Sequence, residues 1–243
     1  MDAQEPPVTF AVARGIVVSA AAAATIAAWA LMGSSTLLTP HRHAVAAPAF
    51  AAAASMWLLM VVAMMTPTVL PWILAYATLV TPVKGARPWR ATGAFTAGYL
   101  IVWLAYSVVA ALLQVTLARA GLLLDDRLAT ALGGVVLVVA GAFQFMPLKG
   151  ACLAHCRSPL SYFIAHWKDG PIGGLRLGLA HGAYCLGCCW LVMLTALAMG
   201  VMNLAWMALL TLILVVEQVA PGGLWVGRMC GAGLAAWGVS LLV

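Results

Sequence analysis

Residues 44–83, AVAAPAFAAAASMWLLMVVAMMTPTVLPWILAYATLVTPV, run for forty positions without one charged side chain. A helix of a water-soluble domain carries a polar face, and this stretch has none to offer. About 20 apolar residues already suffice to cross the hydrocarbon layer of a bilayer. The stretch is therefore either a tight hairpin or one long helix, broken at Pro67 and Pro71 where each proline removes a backbone donor. The single broken helix is the favoured reading. The rest of the 243-residue chain agrees, with 65% of it hydrophobic and 7% charged. No soluble fold of this size has enough interior to hide that much apolar surface. The expected fold class is all-α: a polytopic membrane helix bundle, one integral membrane domain over residues 1–243, with the lipid bilayer as its partner.

The remaining spans are set off by charges. The first lies between Arg14 and Arg42 and ends near Gly33–Ser35; the third covers Ala91 to Ala118 and the fourth Leu128 to Leu148. Lys149 to Arg176, with Pro159 and Pro171, reads as a polar cytoplasmic loop. The uncharged run Leu177 to Val216 divides into two helices at Gly200–Asn203, residues that favour turns. A last span follows Pro221-Gly222-Gly223. The total is about seven transmembrane helices, each near the length a bilayer demands. Met1–Phe10 is polar and mildly acidic, unlike the start of a cleaved signal peptide.

Seven spans place the chain ends on opposite sides. One side then receives nine cations (Arg14, Lys84, Arg87, Arg90, Lys149, Arg157, Lys168, Arg176, Arg228) and the other three, Arg42, Arg119 and Arg127. Such a division places the N-terminus inside and the C-terminus outside a bacterial inner membrane. The net charge of +6 is scattered, with no basic run or stripe, so no nucleic-acid partner is expected. The small side chains of Ala20–Ala24 suit a helix-packing surface.

Chemistry-bearing residues cluster. HGAYCLGCCW places His181, Cys185, Cys188 and Cys189 on the fifth span. At about 100° per residue, positions i, i+4 and i+7 share one helix face, so His181, Cys185 and Cys188 converge. Thiolate and imidazole suit copper, with zinc or iron as alternatives. The plain alternative is that buried Cys packs as a small apolar residue. ACLAHCRSP adds Cys152, His155 and Cys156, the two cysteines one helical turn apart. Met56, Met60 and Met64 form a stripe on the second span with Met65 beside them, and Met193, Met199, Met202 and Met207 add sulfur nearby. That stripe is either core filler or a thioether path for Cu(I). His41-Arg42-His43 is either a solvated loop or a surface capture site. Glu217 closes the sixth span, where a carboxylate is a functional candidate if it faces the bundle. The tryptophans, Trp72 among them, divide between interfacial belt and packing. No hydrolase elbow, phosphate-binding glycine loop or HExxH pair is present.

At these residues the chain resembles a bacterial family, domain of unknown function 2182, described as predicted metal-binding integral membrane proteins. The resemblance rests on WLLMVVAMMTPTVLPW (57–72), CLAHCRSP (152–159), GAYCLGCCWLVM (182–193) and GVMNLAWMALLTLILVVE (200–217). It implies a multi-helix membrane fold and a metal site using Cys152, Cys156, Cys185, Cys188 and Cys189. Gln218 departs from the pattern, standing where a lysine is expected, which leaves Glu217 without an expected ion-pair partner.

Three functions remain open on the sequence. The first is a copper-handling membrane protein that transports, delivers or inserts Cu(I). The second is the membrane subunit of a metal-dependent redox enzyme, completed by another membrane or soluble subunit. The third is an assembly subunit whose cysteines merely pack. The sequence leaves oligomeric state and any enzymatic activity open.

Overall fold

The structure is a computed structural model that describes residues 7–38, 49–81, 88–123, 125–199 and 203–243. Among these residues the chain forms nine helices and no strand: α1 (Pro7–Leu38), α2 (Phe50–Val80), α3 (Pro88–Arg119), α4 (Asp126–Phe143), α5 (Pro147–Cys156), α6 (Pro159–His166), α7 (Gly170–Met199), α8 (Leu204–Val219) and α9 (Gly223–Ser240). The all-helical class is as the sequence dictates. Five helices, α1 to α4 and α7, are long and apolar enough to cross a membrane. α8 is apolar but only 16 residues long, so among the described residues five helices meet the length and composition of a span, beside the seven or so that the sequence suggests.

Residues 50–80 form one helix, not a hairpin, and it is not broken: it continues through Pro67 and Pro71. Hydroxyls support the backbone around the prolines. Thr66 Oγ1 donates to the Val62 carbonyl at 2.6 Å and Thr68 Oγ1 to the Met65 carbonyl at 2.9 Å. Caps set the other boundaries. The Asp125 carboxylate accepts from the Arg127 and Leu128 amides at the start of α4, and the Asn203 side chain from the Trp206 amide at the start of α8. Pro147 and Pro159 open α5 and α6.

The segment read as a cytoplasmic loop, Lys149 to Arg176, is helical instead: it supplies most of α5, all of α6 and the start of α7. Its charges misled the reading, because Lys149 is buried among protein atoms and not held in water. Ala20–Ala24 is not a packing surface within this chain either. Four of its five alanines are exposed, and α1 packs on α2 through Ala28 and Met32. The loop carrying His41 and His43, and the side chains of Met199 and Met202, lie outside the described residues.

α7 is the central element, packed on α3, α4, α5 and α8. Its closest neighbour is α3, and glycine is the reason. A methyl group on Gly178 would collide with the Phe95 carbonyl, and one on Gly98 with the Leu175 carbonyl. Backbones approach this closely only where no Cβ intervenes. The core that results holds Trp57, Met60, Met64, Met65, Trp72, Tyr76, Phe95, Tyr99, Trp103 and Phe163 around the cysteines of α5 and α7.

Gly178→Ala should therefore lower stability in detergent by about 1–3 kcal/mol, the usual scale of overpacking. Gly93→Ala on α3, with nothing within 4 Å of the added carbon, should be neutral or slightly stabilising. Thermal unfolding of the two variants checks this, and equal midpoints would refute the close α3–α7 contact.

Candidate metal centre

The helical periodicity of HGAYCLGCCW holds. His181, Cys185, Cys188 and Cys189 are all on α7 and all buried. Cys185 is the hub: its sulfur has the Cys156, Cys188 and Cys189 side chains as neighbours. The Tyr99 hydroxyl lies 3.5 Å from the same sulfur. The single donors of Cys188 and Cys189 go to the Cys185 carbonyl, at 3.1 and 2.9 Å. Cys156 arrives from α5, at the other end of a 29-residue separation in sequence. The neighbouring Cys185 and Cys188 sulfurs, together with burial, hold its thiol well above the ordinary value.

Aromatic rings wall this set. The Trp72 indole stacks on His181 with centroids 3.8 Å apart, and Tyr99 and Phe95 stack on the imidazole at 5.5 and 6.2 Å. Trp72 Nε1 donates to the Cys156 carbonyl at 2.9 Å, so one side chain positions both the imidazole and the end of α5. His181 Nδ1 is buried and has no hydrogen-bond partner among the described residues. A buried polar atom left without a partner calls for an explanation, and a ligand is one. Trp72 belongs to the site and not to an interfacial belt; the sequence gives no sign of this, because tryptophan near a proline reads equally well as packing.

The other sequence candidates divide. Cys152 is half-buried at the margin, its sulfur against Gly187, where a Cβ would come within 2.8 Å of it. Burial and the nearby Cys188 push its thiol up. His155 is not brought to the cluster: it is exposed and stacked on Tyr184 at 4.2 Å, with Nδ1 turned to the Ala151 carbonyl. Met60 and Met64 are buried on α2 in the same core as the cysteines. Met65 lies nearer the hub, since its carbonyl accepts from Tyr99 as well as Thr68.

The donors are gathered but not closed. Among the described residues, no three His, Cys, Asp or Glu side chains stand as ligands around one ion. All six cysteines are free thiols. The chemistry of the set nonetheless fits a soft metal: four sulfurs and an unpartnered imidazole nitrogen, walled by rings and away from water.

A buried ion pair holds α5 in place. Lys149 Nζ lies 2.9 and 2.8 Å from the two carboxylate oxygens of Glu217, both side chains nearly sealed from solvent, and it also donates to Gln144 Oε1. The doubt raised by Gln218 is thus overturned, because the lysine comes from α5 and not from the neighbouring position. Arg157, just past α5, donates to the carbonyls of Glu217, Ala220 and Pro221. Both ends of α5 are fastened to the end of α8.

A family model described as copper chaperone (PpoB2) matches residues 54–241. The chain belongs to the copper chaperone family. The match covers every element from α2 to α9 and leaves α1 outside. It supports a copper-related family for this chain. No curated protein and no solved structure matches the chain.

In this copper chaperone family member, removing one partner of the ion pair should be far worse than removing both. Lys149→Met alone should lower stability by about 3–5 kcal/mol, since it leaves an uncompensated buried carboxylate. Adding Glu217→Leu should restore most of the loss. Denaturation of the single and double variants reads this directly; a double variant as unstable as the single would show that the pair itself is not the cause.

Proposed function

We propose that this chain is a membrane-embedded copper-handling protein that receives Cu(I) on the sulfur set of Cys156, Cys185, Cys188 and Cys189, with His181 as the nitrogen donor, and passes it on. The observation that carries the reading is the convergence of α5 and α7 thiols on Cys185 beside the unpartnered His181 Nδ1. Family membership supports copper over zinc or iron. Free cysteines and a dry aromatic wall support the cuprous ion, which thiolate and thioether ligands favour.

Loading asks little of the backbone. Cys188 and Cys189 donate to a carbonyl one turn back on their own helix, and a change of one side-chain torsion redirects each sulfur. The ion itself is cargo. What the chain contributes is thiolate and imidazole donors, a wall that excludes water, and Trp72 and Tyr99 to fix the imidazole and the central sulfur. Met60, Met64 and Met65 supply thioethers on α2, which bind Cu(I) without losing a proton.

The apolar helices support a bilayer location. The proposed orientation, N-terminus inside and C-terminus outside an inner membrane, takes α8 and α9 as two further spans. With Lys149 withdrawn into the ion pair, the cations on the two sides stand at eight against three, so the asymmetry persists.

Detergent-purified protein should contain about one copper per chain by elemental mass spectrometry, and a Cys185→Ser/Cys188→Ser variant should contain none, because a soft ion needs its thiolates. Metal-free wild-type protein after growth in copper would defeat the proposal. A reporter enzyme fused after Val243 should be active only outside the cytoplasm; cytoplasmic activity would reverse the orientation.

A further inference from the structure

The four sulfurs of Cys185 and its neighbours are sealed inside the protein, yet cargo has to enter and leave. Cys188, Cys185 and Cys189 are each no more than 1% exposed and Cys156 is 3% exposed. Cys152 is different: it is half-buried, on the flank of α5 where Ala151, Ala154 and His155 are exposed. It is also one helical turn from Cys156, on the face of α5 that packs on α7. Its sulfur lies directly over Gly187, the residue preceding Cys188, and Cys188 is the thiol that acts on it electrostatically.

Gly187 has no other neighbour to accommodate. Among the described residues, the only atoms that an added methyl group there would meet within 4 Å are Sγ and Cβ of Cys152. The missing side chain on α7 is thus a seat for one sulfur atom, in a helix where alanine would otherwise be the better former.

Resting on the copper reading above, we infer that Cys152 is the exchange ligand, the sulfur through which Cu(I) passes between the buried thiol set and the outside, and that Gly187 keeps it within reach of Cys188. The step is a ligand substitution without change of oxidation state. On release, a Cu–S bond forms to Cys152 as its thiol proton leaves to water, and the Cu–S bond to Cys188 breaks as that sulfur takes a proton. A thiolate on the acceptor then displaces Cys152 in the same way. Binding runs in reverse, from a thiolate-bearing donor. Stepwise substitution of this kind never frees the ion and needs no opening of the aromatic wall around His181.

The test separates holding from exchanging. Wild type, Cys152→Ser and Gly187→Ala are loaded with Cu(I) in detergent, and bound copper is measured by elemental mass spectrometry. Copper is then extracted by excess bathocuproine disulfonate, followed by the colour of its Cu(I) complex. All three should bind the same amount of copper, with extraction at least tenfold slower in both variants. Gly187→Ala keeps every thiol, so slow extraction there cannot come from a lost donor. Unchanged rates in the loaded variants would overturn the inference and leave the copper reading intact. Loss of bound copper in Cys152→Ser would overturn it differently, by making Cys152 a resident ligand. Metal-free wild type would fail the copper reading itself.

Discussion

The Lys149–Glu217 pair decides where α5 sits, and α5 decides whether there is a thiol cluster. Two opposite charges in an apolar bundle are expensive to bury singly and satisfactory only together, so each dictates the position of the other. Glu217 is doubly used: its carboxylate takes Lys149 and its backbone carbonyl takes Arg157. A ten-residue helix is too short to hold its place by propensity alone. Fastened at both ends, it delivers Cys156 into the core and leaves Cys152 at its edge. An apolar pair of equal volume would bury as well, but would not fix the register of α5 along α7 so tightly.

A second constraint complements the first. The glycines of α3 and α7 bring the two backbones together, which places Tyr99 over Cys185 and His181. Trp72 reaches the same imidazole from α2 and the Cys156 carbonyl on α5. Four helices therefore fix one imidazole and one sulfur. Electrostatic and hydrogen-bonding contacts in such a water-poor site are stronger than the same contacts in solvent, which makes their placement consequential.

What was legible in the sequence is what depends on neighbours along the chain. The spans follow from hydropathy, and the face shared by His181, Cys185 and Cys188 follows from helical period alone. The long α2 was legible despite its prolines, although its continuity was not, because a proline inside an apolar run removes a backbone donor and so reads as a break. Everything that needs topology was hidden. Lys149 and Glu217 stand 68 positions apart, and a lysine between prolines and other charges reads as a loop cation until the fold shows its partner. His155 illustrates the opposite failure: its place between Cys152 and Cys156 suggested a ligand, but it lies on the outer side of α5, since adjacent cysteines one turn apart define the inner face.

A carrier must be stable with and without its cargo, and the hydrogen bonding around Cys185 shows how that is met. The thiols of Cys188 and Cys189 are satisfied by the Cys185 carbonyl, so neither is stranded in the apolar interior. On the proposed reading, Cu(I) would exchange those weak hydrogen bonds for metal–sulfur bonds, with little desolvation left to overcome because the site is already dry. His181 is the asymmetry in this arrangement. Its Nδ1 has no hydrogen-bond partner among the described residues and would gain one with the proposed ion. On that proposal the imidazole would bias the site toward the loaded state, while the weakly held thiols would keep release within reach. Affinity and transferability, which oppose each other at a rigid tetrathiolate site, would then be assigned to different side chains.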